Sequence, residues 1–436
     1  MIPVLLLLAV VGLMQAARSF SADVSLAGTE LAFGFLLLAA YLTAKIVNRF
    51  GLPKLTGYIL AGVIAGPHVM GLVTDSMSGS LKVVSSTATA ILALEAGSEL
   101  QFKKIRPVMR TLRAMTVFAV LGSMVTIGGV LFLLHPLLPF MKSLDLTQTL
   151  TVCMVIGVAL SAQSPAVVMA MLAETRAEGP LSQILLASVV VADLVVITLF
   201  SVASAVAGAV IGGGLDVQAT ALAVAWELVG SIVFGLVIGA LLGQFLISVK
   251  KGASLFALML CVIVAEIGVK VHLDPLIVML AAGIWLRNFS KADASDLLHG
   301  FESAQLPVFL VFFALAGSHL DLNALWGSVV VVAIVALTRA STFFVGGRFA
   351  TRITGASDVV RKYAWVGLVP QAGLALALAG VLSATFKDSF GPGASVILLG
   401  VVGLNEMVAP IVLRICILRS GEAGKKAGVD FAAGGH

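Results

Sequence analysis

Apolar stretches near the length needed to cross a bilayer follow one another along this chain, separated by short polar turns. Thirteen candidate spans fall at about 30–48, 55–73, 83–101, 114–134, 147–173, 181–211, 219–248, 253–269, 275–288, 304–319, 323–346, 361–384 and 393–418. Before them, Met1 to Ala17 is an apolar run without a leading basic residue. Residues 1–22 read as a signal peptide or as an extra N-terminal helix, and small residues sit at the right spacing for cleavage after Ser19 or Ser21. The pattern predicts an all-α polytopic membrane protein with 13 transmembrane helices, or 14 if the N-terminal segment is retained.

The pattern departs from plain apolar spans between Leu160 and Phe200. There an apolar segment is interrupted at Ser161-Ala162-Gln163-Ser164-Pro165, and a polar turn from Glu174 to Gly179 follows. The next apolar segment carries one acid, Asp193, with at least nine uncharged residues on either side. Proline removes a backbone donor and clashes with the preceding turn, so a helix through Ser164-Pro165 should break or kink. In lipid, freed backbone groups are tolerated only where they face protein or a water-filled cavity. A broken helix beside a lone buried carboxylate is the construction of an ion site near the bilayer midplane. The bland alternative is a structural acid that caps something inside the bundle.

Composition agrees with the membrane reading. The chain of 436 residues is 60% hydrophobic and only 11% charged, with a mean hydropathy of +1.11. No single soluble core of this size could hide so much apolar surface. The basic pI, near 9.2, would suit nucleic acid, but the basic residues lie in short loops and report topology instead, so no nucleic-acid partner is expected. With the loops assigned alternately to two sides, 21 of the 27 Lys and Arg residues fall on one side, from Lys45 to Lys426. Lys82, Lys142, Lys270 and Lys387 fall on the other, while Arg18 and Arg339 stand apart. The asymmetry makes the basic side cytoplasmic, in a cell inner (plasma) membrane, with residues 419–436 as a short cytoplasmic tail. If Met1 to Ala17 stayed as a fourteenth span, Arg18 would lie outside; cleavage removes that conflict. Cys153, Cys261 and Cys416 all sit in apolar segments without metal or redox spacing, so they read as packing residues and no cofactor is expected.

Two halves resemble each other. Leu55-Thr-Gly-Tyr-Ile-Leu-Ala-Gly-Val is similar to Pro275-Leu-Ile-Val-Met-Leu-Ala-Ala-Gly-Ile. The break at Ser164-Pro165 has a counterpart in Gly367-Leu-Val-Pro-Gln-Ala-Gly373, centred on Pro370. An odd number of spans separates the two openings, so repeats at about 55–212 and 275–418 run in opposite orientation, the inverted arrangement of secondary transporters.

A family resemblance now becomes specific. Phe50-Gly-Leu-Pro-Lys-Leu-Thr-Gly-Tyr-Ile-Leu-Ala-Gly-Val-Ile-Ala-Gly-Pro-His-Val-Met-Gly-Leu72 resembles the signature near the start of monovalent cation:proton antiporters. Gly97-Ser-Glu99, Ser164-Pro-Ala-Val-Val, Glu174-x-x-Ala-x-Gly-Pro-Leu, Val369-Pro-Gln-Ala-Gly and Glu406-x-x-x-Pro410 are similar to later motifs of that family, in the correct order over roughly 30–418. The resemblance is closest to the branch with potassium-efflux and sodium/proton antiporters. It implies a homodimer among membrane lipids, with a dimerisation domain and a core transport domain that contains two crossed, broken helices. It implies exchange of a monovalent cation, Na+ or K+, for H+, and no enzyme activity. Departures matter too. Electrogenic members carry Asp-Asp and electroneutral ones usually Asn-Asp, where this chain has Ala192-Asp193; the lysine of the electrogenic members looks replaced by Arg339. Relatives gated by glutathione carry a cytosolic nucleotide-binding domain, whereas this chain runs only about 18 residues past its last span, so that gating is not expected.

The candidate site follows. Asp193 is the shared carboxylate, neutralised by a proton or a cation but not both. Oxygens at the break, from Ser161, Gln163 and Ser164, could replace part of a cation's hydration shell. Glu95 is a second buried acid, read either as an ion ligand or as the partner of Arg339. Arg339 keeps its charge, so it cannot carry a proton; it is expected to meet an acid or the carbonyl end of a half-helix. Glu406 is expected to hold the core domain together. With one carboxylate, exchange should be one-to-one and electroneutral. The alternative function is a transporter of the same fold that moves a small anion or organic solute with a cation. An intramembrane hydrolase would need paired catalytic carboxylates in Gly-x-Gly-Asp context, a Ser/His dyad or His-Glu-x-x-His, and none is present.

Overall fold

A computed structural model describes residues 2–20, 27–74, 77, 81–212, 222, 225–249, 253–271, 273–291, 307, 310–318, 322–371 and 373–425, and every regular element among them is a helix. In order these are α1 (Ile2–Phe20), α2 (Ala27–Arg49), α3 (Lys54–Ala65), α4 (Lys82–Glu99) and α5 (Arg106–Leu137, with a π turn at Val117–Leu121). The chain continues with α6 (Leu146–Leu160), α7 (Pro165–Thr175), α8 (Pro180–Gly212), α9 (Trp226–Val249), α10 (Ala253–Val271), α11 (Pro275–Asn288) and α12 (310–318). The last helices are α13 (Leu322–Ile353), α14 (Asp358–Tyr363, running into a 3-10 turn at Ala364–Leu368), α15 (Gly373–Thr385) and α16 (Gly391–Ser420). Among the described residues, seven helical runs are long and apolar enough to cross a membrane, with five shorter apolar helices beside them.

Helices occupy the segments that hydropathy picks out, with one boundary moved. The sequence predicted a span over 55–73, but α3 stops at Ala65. Gly66 is extended (ψ 171°), as a residue before proline prefers, and the chain turns back so that Val73 N–H donates to the Ala65 carbonyl at 2.9 Å. Parts of the predicted spans 219–248 and 304–319 lie outside the described residues.

The helices sort into two groups by packing. In the first, α3 lies on α2 and crosses α12, while α4 crosses α11, with α9 and α10 packed alongside. Both crossings are backbone-close. At the α4–α11 crossing, a Cβ on Gly97 would collide with the Leu280 carbonyl, and one on Gly283 with that of Leu94. At the α3–α12 crossing, Gly62 meets Ala314 and Gly317 meets Ile59 in the same way. Small residues let helices approach where lipid supplies no hydrophobic drive between them. The second group gathers α5, α6, α8, α13, α15 and α16 around a core that includes Val155, Ala192, Val335 and Phe390. Large apolar side chains such as Leu133, Leu241 and Leu337 point outward, a surface too apolar for water and suited to lipid.

The start of the predicted tail folds back onto the protein. The helix α16 ends at Gly421, whose φ of 75° is the left-handed cap that glycine adopts without strain. Next to it the buried Glu422 carboxylate accepts from Leu181 N–H (2.7 Å), Ser182 N–H (2.8 Å) and Ser182 Oγ (2.8 Å), capping α8. Gly424 N–H donates to the Thr175 carbonyl at 2.9 Å. A carboxylate suits this end of a helix because unpaired amides and the dipole both favour negative charge there. Glu422→Ala is expected to cost about 1–2 kcal/mol by uncapping α8, read as a lower unfolding midpoint in detergent.

Candidate functional site

The chain leaves helical geometry at two places, and tertiary packing brings them together. Between α6 and α7 the break covers residues 161–164; between the 3-10 turn after α14 and the start of α15 it lies around 369–371. Pro165 stands at the first position of α7, where its missing N–H costs nothing. Ser164 caps that helix, its Oγ accepting from Val167 N–H at 3.2 Å. Pro370 lies in the second break.

Broken helices end in unpaired carbonyls, and Arg339 of α13 answers them. Its side chain is fully buried. Nε donates to the Leu160 carbonyl (2.7 Å) and Nη2 to that of Ala162 (2.8 Å), both at the first break. Nη1 donates to the Val369 carbonyl (2.5 Å) and Nη2 also to that of Leu368 (3.2 Å), both at the second. The guanidinium also lies over the Phe343 ring, 4.5 Å from its centroid. Of the two partners the sequence allowed, an acid or the carbonyl end of a half-helix, Arg339 takes the second, and at two half-helices at once.

Asp193 takes the opposite pole. It is buried on α8, and its Oδ1 accepts from Gln163 N–H at 3.2 Å, just ahead of the amino end of α7. That helix end carries partial positive charge and presents amides to an anion. Gln163 Nε2 donates to the Ser161 carbonyl at 2.8 Å. Asp193 Oδ2 and Gln163 Oε1 are buried without a hydrogen-bond partner. Among the described residues no ion pair joins Asp193 to Arg339, whose donors are directed to carbonyls.

A cavity of about 40 Å3 opens beside these groups, room for one or two water-sized occupants. Gln163, Ser164, Asp193 and Leu374 line it from the second helix group, and Thr89, Ala93, Ala96, Leu280 and Phe312 from the first. It therefore lies on the seam between the two groups.

Two expected ligands lie elsewhere. Glu95 is buried on α4, but the cavity-lining stripe of that helix is Thr89, Ala93 and Ala96. At 100° per residue, Glu95 is turned about 100° from Ala96 and about 160° from Ala93, off the cavity-lining stripe. Ser161 does not line the cavity either: its Oγ donates to the Gly157 carbonyl (2.8 Å) and accepts from Ser123 Oγ (2.7 Å), closing the end of α6. Glu406 does not tie the helices together as expected, since both its carboxyl oxygens are buried without partners. Its neighbour Asn405 does so, donating to Gln371 Oε1 at 2.7 Å, while Gln371 Nε2 reaches the Leu160 carbonyl at 3.2 Å. Asn405 was overlooked in the sequence; its signal was an amide in a long apolar run.

All-helical architecture, paired helix breaks and a buried acid on their seam define a polytopic membrane transporter rather than an enzyme. The family profile described as "Sodium/hydrogen exchanger, transmembrane" matches residues 34–416, and the chain belongs to that family. It is 22% identical over 390 residues to the probable Na(+)/H(+) antiporter 3 of Methanocaldococcus jannaschii, covering 87% of this chain and 93% of that protein. It is also 27% identical over 175 residues to the iron transporter MagA of Paramagnetospirillum magneticum, a match of 40% of this chain but only 37% of that one. With the putative cation/proton antiporter YbaL of Escherichia coli it shares 30% identity over 43% of this chain and 31% of YbaL. The solved structure of the sodium proton antiporter MjNhaP1 from M. jannaschii at pH 8 has the same fold, with a TM-score of 0.65, 17% identity, and coverage of 92% of this chain and 98% of that one.

The geometry around Arg339 sets a stability expectation. Arg339→Met removes the side-chain donor from the Ala162, Leu368 and Val369 carbonyls and leaves Leu160 only Gln371 Nε2, and should cost about 3–5 kcal/mol. Arg339→Lys should recover only part of this, because a compact ammonium cannot span two helix breaks as a planar fork does. Unfolding midpoints of the two purified variants in detergent give the order.

Proposed function

We propose that this protein exchanges a monovalent cation, Na+ or K+, for H+ across a cell inner membrane, with Asp193 as the shared carboxylate. The observation that carries the reading is the half-satisfied Asp193 on the seam cavity: Oδ1 is held by Gln163 N–H and Oδ2 has no partner. A proton on Oδ2, or a cation shared between Oδ2 and the equally unpartnered Gln163 Oε1, completes the set. The two ions compete because either one removes the charge of a buried carboxylate, which is costly to leave bare. Ser164 supplies a further oxygen at the cavity wall. Membership of the sodium/hydrogen exchanger family supports the reaction class.

Several finer features belong to the same proposal. Ten of the thirteen predicted spans, at about 55–212 and 275–418, form two inverted repeats, and the paired glycine crossings support it, since each unites a helix from one repeat with one from the other. The loops carrying most Lys and Arg face the cytoplasm, with the C-terminus on that side. The first helix group is the natural site of a homodimer contact and the second the transport core. A small-anion cargo is disfavoured because the guanidinium of Arg339 is already committed to carbonyls.

Asp193→Asn is expected to reduce cation-driven proton flux in proteoliposomes to that of protein-free vesicles, while the purified variant stays monodisperse and folded. Full flux from such a variant would sink the assignment.

Electroneutrality follows from counting carriers. Ala192 stands where a second acid would be, Arg339 keeps its proton, and Glu95 is turned from the cavity. Each crossing then moves a neutralised carboxylate. A net charge would be worth about 2.3 kcal/mol per 100 mV of membrane potential. Proteoliposomes on a solid-supported membrane should give no sustained cation-evoked current, and clamping the potential with valinomycin should leave the rate unchanged.

A further inference from the structure

The cavity lies between two helix groups, so alternating exposure of Asp193 requires one group to rock against the other. Polar contacts that cross the seam are then made in one state and broken in the next. Two described sets of hydrogen bonds cross it, and both lie at the end where the basic loops gather. Glu174, at the end of α7, accepts from the backbone N–H of Lys54 at the start of α3 (3.2 and 3.3 Å to its two oxygens). Arg414 of α16 donates from Nη1 to the Gly51 carbonyl at 2.7 Å, and its Nε lies 4.0 Å from Glu174 Oε1.

Local helix stability does not account for Glu174. A carboxylate at the carboxyl end of α7 opposes that helix's dipole. At the amino end of α3 the sign is right, and α3 has no cap of its own there, because Pro53 at the N-cap position makes no side-chain hydrogen bond. The helix α7, which packs on α16 and α8 of the second group, thus caps a helix of the first. Furthermore, α7 is a rod of 11 residues, about 16 Å long, with the clasp at one end and Ser164, Pro165 and Ala166 at the cavity wall at the other. Movement at Glu174 is transmitted to the ion site without any flexible link.

We propose that Glu174 and Arg414 clasp the turn at residues 51–54 to close the basic-loop face of the carrier, and that this clasp opens whenever Asp193 faces that side. The inference rests on the antiport reading above. Glu174 and Arg414 act by positioning α7 and α16, not by touching the ion. Their side chains are only partly exposed, 14% and 25%, and a clasp of this kind shifts a two-state equilibrium by up to about fivefold.

The test compares everted with right-side-out membrane vesicles carrying wild type, Glu174→Ala or Glu174→Gln, and titrates Na+ and K+ from each face. If the clasp holds the basic-loop face closed, Glu174→Ala tightens apparent cation affinity at that face and weakens it at the opposite face, so that the ratio of the two affinities changes by up to about fivefold. Glu174→Gln lies between, because its amide oxygen still accepts from Lys54 N–H. Equal changes at the two faces, or none, in folded variants would overturn the clasp, since a merely structural role cannot act with opposite sign. Hydrogen–deuterium exchange at the amides of 54–56 in purified protein gives a readout independent of transport. Faster exchange there in Glu174→Ala supports the contact, and unchanged exchange overturns it. Wild-type vesicles without exchange of either cation would overturn the antiport reading itself, and with it the alternation on which the clasp depends.

Discussion

A single buried guanidinium holds the two helix breaks in one place. Interrupting a helix inside a membrane creates carbonyls that water cannot reach, and here two interruptions would leave such groups side by side. Arg339 offers a rigid planar fork with a charge opposite to both carbonyl ends, and its four hydrogen bonds reach Leu160 and Ala162 on one side, Leu368 and Val369 on the other. A buried charge is ordinarily expensive. It is tolerable here because the partial negative charges of two helix ends stand in for a counter-ion. Without it the carbonyls of both breaks would lose buried hydrogen bonds, and α7 and α15 would be held less firmly against each other.

The proposed ion site depends on that placement. Once the carbonyl ends are satisfied by Arg339, the amino end of α7 is left free to face Asp193, and Gln163 N–H does so. Opposite ends of the broken helices therefore serve opposite purposes: the carbonyl ends bind a permanent cation belonging to the protein, and the amide just ahead of the amino end of α7 donates to the Asp193 carboxyl. Buried polar atoms are nearly always paired. Asp193 Oδ2 and Gln163 Oε1, both without a hydrogen-bond partner beside the same cavity, are the exceptions on which the proposed ion site rests.

Around this centre the two helix groups use different physics. The first is joined by glycine-mediated crossings, in which backbone approaches backbone and little can shift. The seam between the groups has the cavity along it and hydrogen bonds at the basic-loop end. Two packed blocks that meet along a seam holding a cavity and a few polar contacts are the mechanical condition for alternating access.

Hydropathy alone determined the class of protein, the all-helical fold and the approximate helix positions, because a bilayer imposes length and apolarity on any segment that crosses it. The same pattern exposed both breaks and Asp193, since proline and a lone acid stand out against an apolar background. Local chemistry also fails in informative places: α3 is shorter than its apolar run because Gly66-Pro67 ends it, which hydropathy does not register. Other features belong to tertiary structure. Glu95 and Asp193 are both acids in apolar spans, yet only Asp193 lines the cavity; helix rotation separates them. Arg339 could have met an acid or a helix end, and only packing of α13 against both breaks decided between them. Glu422, in a polar stretch with nothing to distinguish it, became a buried cap of α8 because the chain turns back after Gly421. Sequence patterns report what each segment needs from its surroundings, but a partner 179 or 241 residues away along the chain is fixed only when the helices are packed.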